Sequence, residues 1–108
     1  MPHPRFKISK NDAGEYSFNL TAANAEKILA SERYTTRSGA EGGIEAVKVN
    51  ARIDERYERK VARDGQLYFV LKAGNGEIVG VSETYTSSGA REQGIAAVKA
   101  NAGVVGVE

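Results

Sequence analysis

Two glutamates, Glu32 and Glu83, and two tyrosines, Tyr34 and Tyr85, recur in this chain at one constant interval of 51 positions. Carboxylates brought face to face can do acid–base work, because like charges in one site drive one pKa upward. A tyrosine offers a ligand both a ring and a hydroxyl. Lys48/Lys99 and Asn50/Asn101 repeat at the same interval. Each pair also has a plain structural account. Acids at strand ends are ordinarily solvated, and a tyrosine between strand and helix ordinarily plugs the end of a core. Lysine in a last helical turn complements the helix dipole, and asparagine after it tolerates the left-handed conformation that closes helices.

Other chemistry has less to work with. The single histidine, His3, sits between two prolines near the start, and there is no cysteine. Thiol nucleophiles, disulfides and thiolate metal sites are excluded, and the scattered acids suggest no metal or cofactor site. The run Ser38-Gly39-Ala40-Glu41-Gly42-Gly43 before a helix invites a phosphate-loop reading. The Lys-Ser/Thr that would complete such a loop is missing, however, and the second copy keeps only part of the cluster. Close helix-to-sheet contact at Gly43 and Gly94 explains the glycines more simply. Serines and threonines near the helix starts lack both a nucleophile elbow and a histidine base.

The interval itself shows the organisation. When Phe6–Ala51 is laid on Tyr57–Ala102, about 18 of roughly 46 positions agree without a gap. In each copy apolar residues alternate as in half-buried strands, Tyr16, Phe18 and Leu20 being one such set. Turn formers separate the strands: Asn11 to Gly14 and Asp64-Gly65 after the first, Asn24-Ala25 and Asn75-Gly76 after the second. A short third strand, near Ile28–Ser31 and Ile78–Ser82, leads into a helix whose apolar stripe in the first copy is Ala40, Gly43, Ile44, Val47 and Ala51. Thr35 to Ser38 offer side-chain oxygens to cap the free amides of the helix start, and Ser38 with Glu41 has capping-box spacing. Asn24-Ala25, lacking glycine, predicts a wider or different turn.

The expected fold is α+β: two tandem β-β-β-α repeats, 6–51 and 57–102, forming one antiparallel sheet with two helices on one face, and a tail over 103–108. Together they make a single domain of 108 residues. One copy alone has little core, and the second supplies the missing burial. The charged run Arg52-Ile53-Asp54-Glu55-Arg56 reads as a short solvated connection.

The copies differ informatively. Ser17 and Asn19 face outward on the first middle strand, and Tyr68 and Val70 take those places in the second. A cover for Tyr68 and Val70 is expected, either from the sheet itself through a central place in it, or from the tail, a second molecule or a ligand. Arg91 replaces Ala40 on the apolar helix face and should send its guanidinium outward or pair with an acid.

Asn75-Gly76-Glu77 and the paired motifs built on Tyr-Thr and Gly-Ile-x-Ala-Val-Lys-x-Asn-Ala resemble the YegP-like family of small bacterial and archaeal proteins. The likeness covers Phe6 to Ala102. It implies the tandem β-β-β-α arrangement, with single-copy relatives forming the equivalent object as homodimers, and it implies no established activity, cofactor or catalytic residue.

The expected function is therefore binding rather than catalysis, with Tyr34, Tyr85, Tyr68, Val70 and Arg91 as the candidate contact surface. The partner class is a protein or peptide, or a second copy. Alternatives are a small enzyme using carboxylates and tyrosines, and weak nucleic-acid binding through Arg5, Lys7, Arg56, Arg59, Lys60 and Arg63. The net charge of +1 argues against nucleic acid. No apolar run reaches the ~20 residues of a membrane span. The opening ten residues lack a signal-peptide core, which makes the cytoplasm the expected compartment.

Overall fold

The computed structural model describes residues 4–103. The elements follow in the order β1 (Arg5–Lys10), β2 (Tyr16–Thr21), β3 (Lys27–Ala30), α1 (Arg37–Asn50), β4 (Tyr57–Val61), β5 (Leu67–Lys72), β6 (Ile78–Val81) and α2 (Ser88–Asn101). A short 3₁₀ turn, Asp54–Arg56, precedes β4. The strands form one six-stranded antiparallel sheet in the order β1-β2-β3-β6-β5-β4. This is the α+β arrangement of two repeats read from the sequence.

The two half-sheets meet at β3 and β6 through the pair Ala30↔Val81. These residues occupy equivalent places in the two copies, so the pseudo-twofold axis runs through this bridge. Next to it, Leu29 and Gly80 are also equivalents, and they cannot both carry a large side chain. A Cβ on Gly80 would come within 2.6 Å of Leu29 Cγ and Cδ2. Leu29, 1 % exposed, thus fills the space on the axis from one side only.

Phe6, Phe18, Leu20, Phe69 and Leu71 point from the sheet into a buried core shared with Ile44 and Val47 of α1 and Ile95 and Val98 of α2. Each such side chain contributes about 1.5–3 kcal/mol on burial. The helices do not stay on their own copies: α1 packs on β1 and β2 but also on β5 and β6, and α2 packs on β5 and β3. Part of what each helix buries therefore belongs to the other repeat.

Four tight turns shape the hairpins. Gly14, Gly65 and Gly76 carry φ of +81, +86 and +87°, and Ala25 carries +69° in the fourth. The turn at Asn24-Ala25 is not wider than its counterpart, contrary to expectation. Ala25 N donates to Ala22 O and Ala22 N to Glu26 O, both at 2.9 Å. Gly76 and Ala73 make the same bonds in the second copy at 2.9 and 2.8 Å. Asn24 and Asn75 each accept from the amide two residues on. The shared Asn-turn geometry overrides the alanine's preference, at a cost of about 1–2 kcal/mol for a left-handed non-glycine.

Helix ends correct two further expectations. The N-caps are Thr36 and Ser87, whose hydroxyls accept from Gly39 N and Ala90 N at 2.9 and 3.1 Å, so Ser38 and Glu41 form no capping box. Asn50 and Asn101 remain inside the last turn, each donating from Nδ2 to the carbonyl four residues back. Ala51 and Ala102 follow in right-handed conformation. The connection over 52–56 is also more than solvated chain. Arg56 Nε donates to Asn50 Oδ1 at 3.0 Å, and Asp54 accepts from Lys99 at 2.7 Å. His3 and the tail residues 104–108 lie outside the described residues.

The seam and the alanine turn can each be probed by substitution. Gly80→Ala should cost about 1–3 kcal/mol in urea unfolding, and the cost should shrink when Leu29→Ala is present, because one contact causes it. Ala25→Gly should raise stability by about 1 kcal/mol with an unchanged denaturant slope.

Candidate functional site

The repeat tyrosines are held from three sides. Tyr34 exchanges two backbone hydrogen bonds with Tyr16, both 2.7 Å, and Tyr85 does the same with Leu67 at 2.6 and 2.8 Å. Their rings stack on Phe18 and Phe69, centroids 6.2 and 6.4 Å apart. Their hydroxyls lie against the helices at Gly43 and Gly94. An added Cβ there would meet Tyr34 Cζ at 2.8 Å or Tyr85 Cζ at 2.7 Å, and the hydroxyl oxygens closer still. The glycines are therefore close-approach residues, as read from the sequence, and what approaches is a tyrosine ring.

Both tyrosines stay half-buried. Burial raises each phenol's pKa, and acids from both copies add to it: Glu32 and Glu77 act on Tyr34, Glu83 and Glu26 on Tyr85. Tyr85 also lines a groove of about 250 Å³ with Ile28, Glu26 and Asn24 of one repeat and Ala90, Gln93 and Ala97 of the other. Tyr57, equivalent to Phe6, is buried, and its hydroxyl donates to Ala51 O at 2.5 Å. Burial, with Asp54 nearby, pushes its pKa far up.

On the helix-free face the two halves differ. Val70 is only 3 % exposed. It stands between Glu58 on β4 and Val81 on β6, and Lys72 holds Glu58 at 2.9 Å beside it. The sheet itself thus covers Val70, one of the alternatives expected for it, and this removes Val70 from the candidate contact surface. Tyr68 remains half-buried and Ile78 is 36 % exposed. A groove of about 200 Å³ lies along the seam between Lys27, Leu29 and Ala30 and Val81, Ser82 and Glu83.

Arg91 turns inward against β4 rather than out to solvent. Its side chain is 14 % exposed, Nη1 donates to Lys60 O at 3.3 Å, and Nε lies 3.8 Å from Glu92. Nε itself is buried and has no hydrogen-bond partner among the described residues. Beside it runs an ion-pair chain that has no counterpart among the described residues of the first repeat and that no sequence spacing announces. Arg59 grips Glu92 with two bonds of 2.8 Å and reaches Asp54 at 3.6 Å, and Asp54 takes Lys99. These partners are 33 and 45 positions apart. The cations keep Asp54, Glu58 and Glu92 below the ordinary carboxylate range, chiefly through hydrogen bonds from Lys99, Lys72 and Arg59.

The six basic residues read as a nucleic-acid surface do not form one patch. Arg5 and Lys7 lie on β1 and Arg59 and Lys60 on β4, strands at opposite edges of the sheet. Arg56 and Arg59 are already hydrogen-bonded within the chain. Glu32 and Glu83 are not brought into a buried site: both are exposed. Among the described residues no group of three or more His, Cys, Asp or Glu could hold a metal ion.

The profile of a domain of unknown function, DUF1508, matches residues 11–58 and again 62–108. The chain belongs to this family. It is 48 % identical over 96 residues to the UPF0339 protein YegP of Escherichia coli K12, covering 89 % of this chain and 87 % of that one. It is 50 % identical over 95 residues to a UPF0339 protein of Bordetella pertussis, covering 88 % and 86 %. The solution NMR structure of E. coli yegP, a protein of unknown function, superposes with a TM-score of 0.92 at 44 % identity, covering 100 % of this chain and 93 % of that one. The solution NMR structure of a UPF0339 protein from Shewanella oneidensis gives 0.91 at 41 %, covering 97 % and 89 %. The resemblance drawn from the repeated motifs is thereby shown, and with it a family whose activity is unassigned.

The ion-pair chain sets a pH dependence. A carboxylate whose folded-state pKa is depressed stabilises the fold above its unfolded pKa, and that contribution is lost as pH falls through the folded value. Asp54, Glu58 and Glu92 should titrate below ordinary carboxylates in carbon-detected NMR. In Lys99→Met, Asp54 should move back up while Glu58, held by Lys72, stays.

Proposed function

We propose that this chain is a non-catalytic interaction module, acting in the cytoplasm, that engages a protein partner through the helix-free sheet face around Tyr68. The supporting observation is the asymmetry of that face. Helices cover one side of the sheet in both halves. On the other side the first repeat offers Ser17 and Lys27, where the second offers Tyr68 and Ile78. Half-buried aromatic and aliphatic side chains beside polar neighbours are what the core of a protein interface uses. The seam groove, with Lys27 and Glu83 at its rim, adjoins this patch.

The acid–base reading has weaker support. The acids with displaced titration are all held ionised by cations, which suits ion pairing and opposes proton donation. Nucleic-acid binding draws on cations that are partly engaged by the chain's own acids.

Surface and core roles separate on substitution. Tyr68→Ser with Ile78→Ser should cost about 1 kcal/mol or less, whereas Val70→Ser, buried within the sheet, should cost about 2–4 kcal/mol. Affinity capture with quantitative mass spectrometry, run in parallel on the natural chain and the Tyr68/Ile78 variant, should recover a protein bound by the first and lost by the second. Identical recoveries from two equally folded baits would remove the basis for this reading.

A further inference from the structure

The sheet has two outer strands, and they differ in how their charges are engaged. β4, Tyr-Glu-Arg-Lys-Val, keeps its charges paired. Glu58 lies 2.9 Å from Lys72 and 3.6 Å from Lys60, and Arg59 is locked on Glu92. β1, Arg-Phe-Lys-Ile-Ser-Lys, holds three cations and no acid. Its one neighbouring strand among the described residues, β2, carries no charge at all. Lys7 and Lys10 are exposed. The Lys7 ammonium makes no ion pair or hydrogen bond among the described residues, and Lys10 lies only over the Tyr16 ring, 5.6 Å from its centroid. Lys48 of α1 adds a further positive charge 5.9 Å above Phe6.

The backbone of β1 suits an added strand. Its pairing with β2 runs unbroken from Arg5↔Thr21 to Lys10↔Tyr16, with no bulge to twist the edge away. In an antiparallel pair alternate residues aim their N–H and C=O groups outward, and six residues present roughly 20 Å of such edge. Lysines on an edge deter pairing with another copy, since a second β1 would set cation against cation. The same charges attract a strand of opposite sign. Lys7 points to the helix-free face and Lys10 to the helix face, where Ile8, half-buried, leaves apolar surface for one aliphatic side chain.

We infer that the outer edge of β1 receives an extended acidic segment of another protein as a seventh strand, with one carboxylate opposite Lys7 on one face, another opposite Lys10 on the other, and its main chain hydrogen-bonded to β1. This surface lies across the sheet from the Tyr68 patch and does not depend on it.

The experiment titrates the isotope-labelled full chain with the acetylated, amidated hexapeptide Val-Glu-Val-Val-Glu-Val, whose glutamates, three residues apart, reach both faces, alongside the same peptide N-methylated at alternate residues. The first peptide should slow amide exchange on β1 by about tenfold or more, leave β4 unmoved and bind more weakly as salt rises. The methylated peptide should bind about tenfold more weakly or not at all. The exposed substitutions Lys7→Glu and Lys10→Glu together should abolish binding of the glutamate peptide and create binding of a lysine–valine peptide, while Tyr68→Ser should change nothing. Equal affinity for both backbones, protection spread over both edges, or no binding by the natural chain would each overturn the inference.

Discussion

The sheet is continuous because a leucine crosses the pseudo-twofold axis into space that its own counterpart vacates. Beside the Ala30↔Val81 bridge, two equivalent residues meet and only one can be large; Leu29 is, and Gly80 is not. The side chain thereby packs β3 onto β6, and it does so where the half-sheets share few backbone pairs. With the strands joined there, each helix can lie across both halves, and Ile44, Val47, Ile95 and Val98 share one core. Without that contact, each helix would face a three-stranded sheet too narrow to cover its apolar stripe.

What the two repeats have in common is scaffold, residue by residue. Ser31 and Ser82 each accept from a strand amide, of Phe18 and of Phe69, and donate to the next carbonyl, of Glu32 and of Glu83. Asn24 and Asn75 hold turns, Asn50 and Asn101 bond back into the last helical turn, and the tyrosine–glycine contacts close the ends of the core. None of these shared positions needs a ligand to explain it. The surfaces left over for function are those where the repeats diverge: Tyr68 and Ile78 on the open face, the ion-pair chain around Arg59, and the basic edge of β1.

That divergence also governs electrostatics. A net charge of +1 conceals two unlike sheet edges, one neutralised internally through Glu58, Arg59 and Glu92, the other presenting Lys7 and Lys10, which meet no acid among the described residues. Composition sums over both, so only the strand order gives the charges a place.

Sequence alone determined the repeat, its strand–strand–strand–helix order, the buried stripe of α1 and the close approach at Gly43 and Gly94, because those follow from local spacing and from comparing one copy with the other. It misjudged Ala25, where a neighbouring asparagine sets the turn, and the capping box, because Thr36, one of the oxygens offered over 35–38, takes the cap in place of Ser38. Strand order, the Leu29–Gly80 contact, the covering of Val70, the inward course of Arg91 and the pairing of Arg59 with Glu92 were decided only by tertiary structure. Each joins residues far apart in the chain, and no periodicity in a sequence encodes which distant side chain will occupy the space or meet the charge that another leaves open.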